Sequence, residues 1–130
     1  MRPALTMLLL AGLASPAAAT EWVNCADPSG AASFDLLLGA TEVVSVVGMT
    51  VTVGETVWAS DVAYGPGEPI AVGQAFETPD MLLVDAVDPA VTRKVAELRL
   101  FKAGEGDSFA YGGTLRVPGH GAWAVSCSAP

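Results

Sequence analysis

The chain has 130 residues, 52% of them hydrophobic, with two cysteines and 14 acidic residues against six basic ones, a net charge of −8. That length suffices for one modest core and one domain. The acidity disfavours nucleic acid as a partner, because phosphate binding needs a basic footprint that releases counterions.

At the N-terminus, Arg2, a largely apolar run over residues 4–13 and the small residues Ala17-Ala18-Ala19 have the order of a cleavable export signal. The run is too short for a bilayer core of about 30 Å, and nothing after Thr20 approaches the ~20 consecutive apolar residues of a membrane-spanning helix. Residues 1–19 are therefore expected to be a signal peptide and residues 20–130 a single soluble β domain, periplasmic or secreted. A lipid anchor is not expected, since Trp22-Val23-Asn24 precedes Cys25 where a lipoprotein needs a small-residue box.

Export to an oxidising compartment predicts that Cys25 and Cys127 pair, closing a loop of about 100 residues and tying the first strand to the last. A redox or metal-binding pair normally has close spacing or additional His and Cys ligands, and neither is present.

Strands are predicted at residues 22–25, 33–38 and 42–47, the last two separated by Gly39-Ala40. Thr50-Val51-Thr52-Val53 alternates β-branched residues, Gly54-Glu55 turns the chain, and residues 56–59 resume an extended pattern. Further strands are expected at 81–87, 96–103, 111–117 and 122–127. In residues 96–103, Leu98 and Leu100 share one face and Glu97 and Arg99 the other, the alternation of a half-buried antiparallel strand. In the last strand Trp123, Val125 and Cys127 share a face. About seven or eight strands make the fold mainly β, an antiparallel sandwich or small barrel. One short helical connection is expected near residues 88–95, with Asp88 as N-cap, Pro89 in the first turn and Arg93-Lys94 at the negative end of the dipole. A strand bent at Pro89 is the competing reading.

Charge is uneven along the chain. From Glu21 to Thr92 there are acids and no Lys or Arg; Arg93, Lys94, Arg99, Lys102 and Arg116 all follow. A basic protein suits such a surface, as does a purely solubilising role. The candidate partner-binding residues are Asp61, Tyr64 and Glu68, because Gly65-Pro66-Gly67 cannot continue a strand and should project a ring between two carboxylates. An ordinary connection with Tyr64 folded onto the core is the alternative.

His120 is the one histidine, and the glycines around it suit a tight turn between the last two strands. It is also the only candidate for a small hydrolase that would use it with carboxylates. Asp80, Asp85 and Asp88 lack the spacing of an EF-hand, and Glu105-Gly106-Asp107 reads as a polar hairpin turn. No phosphate-binding Gly-rich motif or zinc pattern is present, so no cofactor and no metal is expected. A non-enzymatic binding or envelope-associated role follows.

In outline, a small exported all-β domain with cysteines near its termini resembles the periplasmic inhibitors of c-type lysozyme. The resemblance implies inhibition of a basic enzyme as one example of a binding role. It lies in architecture: the family's Ser-Gly loop with a following tyrosine has only Asp61-Val62-Ala63-Tyr64 as a loose counterpart, so no functional residue carries over.

Overall fold

The computed structural model describes residues 20–128 and Gly12; the expected signal peptide otherwise lies outside the described residues. Ten strands form one sheet: β1 (Thr20–Ala26), β2 (Ala32–Gly39), β3 (Ser45–Val53), β4 (Thr56–Ala59), β5 (Glu68–Pro69), β6 (Ala71–Glu77), β7 (Met81–Val87), β8 (Lys94–Glu105), β9 (Ser108–Val117) and β10 (Gly121–Ser128). The spatial order is β5-β4-β3-β2-β1-β10-β9-β8-β7-β6. Two antiparallel meanders, β1–β4 and β6–β10, are thus joined where the first strand pairs with the last. β5 adds a short parallel pairing to β4.

The outermost strands of this order, β5 and β6, are separated in sequence by Ile70 alone. The two ends of the sheet must therefore meet, and the sheet curls into a nearly closed barrel. Ile70 is buried at this seam, with its N–H bonded to the carbonyl of Ala59 at 3.2 Å. Among the described residues, no helix is long and apolar enough to cross a membrane.

Period-two alternation fills the interior. Val23 and Cys25 meet Phe34 and Leu36 across β1–β2, and Val84 and Leu98 meet across β7–β8, all essentially inaccessible to solvent. Gly113 marks the tightest contact, because a Cβ there would lie 1.9 Å from the carbonyl oxygen of Arg99 on β8. Only glycine permits that approach.

The expected disulfide is present. Cys25 and Cys127 stand directly opposite in the β1–β10 register, with Cα atoms 4.1 Å apart.

The expected mainly β fold is observed, as a ten-stranded, nearly closed barrel-like sheet. The short helical connection near 88–95 is not formed: residues 88–93 make a hairpin loop and β8 begins at Lys94. Asp88 does cap, but its carboxylate takes the N–H groups of Thr92 and Arg93, each at 2.8 Å, and the Thr92 hydroxyl at 2.6 Å. Those bonds close the loop around the side chain, and Val91, at φ 56°, leaves the right-handed helical region altogether. The Thr92 hydroxyl, then the Arg93 N–H, hold the Asp88 carboxyl below its ordinary value of 3.8. Stability from this cap is therefore present above that value and is lost as pH falls through the lowered one.

The separate strands expected at 42–47 and 50–53 are one strand, β3, which stays paired to β2 through an irregularity between Leu37 and Leu38.

Replacing Cys25 with Ser is expected to lower stability by about 2–4 kcal/mol, since it frees a long loop in the unfolded chain. A urea titration comparing the variant with the oxidised protein checks this; an unchanged midpoint would show that the bond contributes nothing.

Candidate binding site at the open end of the barrel

Three interior-facing stripes change character as they reach one end of the barrel. On β8, the buried Leu98 and Leu100 are followed by Lys102; on β9, Leu115 and Gly113 lead to Tyr111; on β1, Cys25 and Val23 lead to Glu21. On β6, Glu77 stands opposite the buried Leu82. The four polar side chains converge around a cavity of about 730 Å³ whose walls also include Val23, Leu38, Val44 and Phe109. That volume lies within the range of small-molecule sites, which combine apolar walls with a few placed polar groups.

The hairpin β8–β9 supplies one side of this mouth. Its strands run on past the buried layer to the Gly106-Asp107 turn, where Glu105 and Ser108 still pair. Phe109 remains well exposed there, its ring edge-on to Tyr111 with centroids 5.9 Å apart.

Lys102 Nζ lies 3.0 Å from Glu77 Oε2 and 5.7 Å from the centre of the Tyr111 ring. Its backbone N–H is fixed to the carbonyl of Asp80 at 2.8 Å. Burial, reinforced by the charges of Glu77 and Glu21, pushes the Tyr111 phenol up to about 12. Among the described residues, Glu21 makes no ion pair.

The residues singled out from sequence lie elsewhere. Asp61 caps a 3₁₀ turn at Val62–Tyr64, accepting the Ala63 N–H at 2.9 Å. Tyr64 lies against the outer wall, where its ring occupies the space a Cβ on Gly48 would need, and it meets Trp22 edge-on at 5.9 Å. The Thr50 hydroxyl holds its carbonyl at 2.7 Å. Glu68 is exposed on β5. Asp61 and Glu68 are thus exposed, while the Tyr64 ring packs against Gly48 and Trp22 instead of projecting between them.

His120 sits in the β9–β10 turn, its N–H bonded to the Val117 carbonyl at 2.9 Å and its ring edge-on to the buried Trp58 at 5.1 Å. An indole gives an imidazole neither a hydroxyl to activate nor a carboxylate to orient it. No group of three or more potential metal ligands occurs among the described residues.

Asp85, one of the three aspartates without EF-hand spacing, is a covered strand residue. It is 2% exposed in the middle of β7, on the outer face, with Arg99 Nη1 at 2.8 Å and Lys94 Nζ at 3.5 Å. Glu97 stands opposite it and binds Arg116 at 3.0 Å and Lys94 at 3.2 Å. Covered carboxylates require such partners.

Compared with known proteins, the chain matches no family model, no curated protein and no solved structure.

The raised Tyr111 value has a measurable sign. The folded state holds this proton more tightly than the unfolded chain, so its contribution is complete below the ordinary value of 10.0 and is lost as pH rises towards about 12. Absorbance of the phenolate is expected to show an ionisation near that upper value, absent in Tyr111→Phe. An identical titration in the variant would contradict the placement of Tyr111.

Proposed function

We propose that the protein is an exported, non-enzymatic binding domain whose ligand enters the open end of the barrel. The observation that carries this reading is the convergence of Glu21, Glu77, Lys102 and Tyr111 on a cavity with aliphatic and aromatic walls. Polar groups at the end of otherwise apolar stripes orient a small molecule, while the walls supply affinity. The Cys25–Cys127 bond supports a periplasmic or secreted setting, since such bonds persist where thiols are not kept reduced.

Titration of the oxidised protein with a neutral, environment-sensitive dye such as Nile red tests the cavity. Saturable, blue-shifted emission at one dye per protein is expected, weakened about tenfold when Val44→Trp fills the mouth. Absence of saturation, or equal binding by that variant, would overturn this reading.

A second reading, capture of a basic protein at Asp61, Tyr64 and Glu68, is favoured by the charge split: β1–β7 carry no Lys or Arg. Immobilised protein is expected to retain a c-type lysozyme at low salt, less so after Tyr64→Ala with Asp61→Asn and unchanged after His120→Ala. Equal retention by the double variant would remove the outer wall as the contact, and a tenfold loss of a hydrolytic activity from His120→Ala alone, with the fold preserved, would overturn the binding reading.

A further inference from the structure

The outer wall of β1–β3 carries two neighbouring rows of residues across the sheet. In one, Trp22, Leu37 and Gly48 stand opposite one another, and the Tyr64 ring fills the space over Gly48 and meets Trp22 edge-on at 5.9 Å. In the next, Asn24, Asp35 and Thr50 are aligned, and the Thr50 hydroxyl holds the Tyr64 carbonyl at 2.7 Å. Asp35 is therefore diagonal to Trp22, at the roughly 7–8 Å that aromatic and long side chains span.

The Asp35 carboxylate is half-covered. Burial alone pushes it above its ordinary value of 3.8, and no hydrogen bond or cation among the described residues offsets the loss of water. Residues 20–92 contain no Lys or Arg, and the five that follow lie on β8, β9 and the loop before β8. An α-amino group released by cleavage after residue 19 would lie at Thr20, four residues along β1 from Asn24 and so about 13 Å from this row. The folded state binds the Asp35 proton more tightly than the unfolded chain does, so its contribution is complete below 3.8 and is lost as pH rises through the raised value. At neutral pH the free protein thus holds a carboxylate that opposes folding, diagonal to an indole that is 38% exposed.

We propose that this row receives an arginine side chain of a basic protein partner, its guanidinium bonded to Asp35 and stacked on Trp22. This rests on the second reading above, capture of a basic protein on the outer wall, and names the contact. Charge selects the occupant: an anion meets only carboxylates on this half of the barrel, and an apolar side chain covers Asp35 further without giving it a partner. Arginine fits better than lysine, because its planar fork binds a carboxylate through two N–H groups and lies flat on an aromatic face.

Acetyl-Gly-Arg-Gly-amide, titrated into the oxidised protein at low salt and followed through the backbone amide signals of Leu37 and Thr50, tests the contact, with the lysine and uncharged citrulline peptides as references. The arginine peptide is expected to bind about fivefold more tightly than the citrulline peptide, the scale of one partly exposed charge pair, and about twofold more tightly than the lysine peptide. Asp35→Asn is expected to abolish the preference over citrulline and to raise the urea midpoint of the free protein, the opposite of losing a structural contact. Trp22→Leu, which keeps the apolar cover and removes the ring face, is expected to weaken the arginine peptide about two- to threefold.

Equal binding of the arginine and citrulline peptides, or an arginine preference that Asp35→Asn leaves intact, overturns the assignment. A urea midpoint that does not rise in Asp35→Asn overturns it too, since it shows a carboxylate already partnered within the fold. A preference that falls equally in Asp61→Asn with Glu68→Gln places the attraction in diffuse acidity, which overturns the Asp35 contact and leaves capture of a basic protein standing. Capture itself fails separately, as a c-type lysozyme that is not retained while the arginine peptide still binds at Leu37 and Thr50.

Discussion

The pairing of β1 with β10 holds this architecture together. It joins two meanders that the chain otherwise connects only through residues 60–70, and its register comprises three residue pairs, Asn24 with Ser128, Cys25 with Cys127 and Ala26 with Ser126. So short a ladder between the ends of the chain demands the closure of a very long loop, which costs conformational entropy before any contact compensates. The covalent bond at the central pair removes much of that cost, and the interior stripes from both meanders then meet in one core.

The meanders also divide the electrostatics. The β1–β4 side has carboxylates and no basic side chain, whereas β7, β8 and β9 hold the Arg99–Asp85 and Arg116–Glu97 pairs that allow acids to sit under cover on the outer wall. Most of the net negative charge therefore falls on the half of the barrel built from residues 20–69, whose carboxylates have no Lys or Arg beside them in sequence. The mouth lies where the halves meet, drawing Glu21 from one and Glu77, Lys102 and Tyr111 from the other.

Much of the β-structure was legible in the sequence because alternation and turn chemistry are local. Residues 81–87 match β7, and the Gly54-Glu55 and Gly106-Asp107 turns sit between paired strands as their residue types suggest. The missed strands have weaker local signals: β5 is two residues long, and β6 contains Gly73 and is largely exposed. The helix expected near 88–95 failed because an Asp-Pro start fits a hairpin loop equally well, and the carboxylate of Asp88 reached Thr92 and Arg93 instead of opening a helical turn.

The site was harder to read, since it depends on which strand ends face the same opening. A trace existed in the way Lys102 extends the Leu98–Leu100 stripe and Glu21 extends that of Val23 and Cys25. A polar residue at the end of an apolar stripe marks where an interior meets water, but only the strand order puts those ends side by side. Tyr64 lacked even this trace, as the space that receives its ring is created by the missing side chain of Gly48 on another strand.

Because Cys25 and Glu21 share one strand and one facing direction, the covalent rivet and the rim are mechanically continuous. Whatever loosens β1 at its cysteine also releases the rim carboxylate, and whatever holds that carboxylate favours the conformation in which the two sulfurs are already opposed. Any ligand seated in the mouth would therefore be linked to thiol oxidation through the same seven-residue strand.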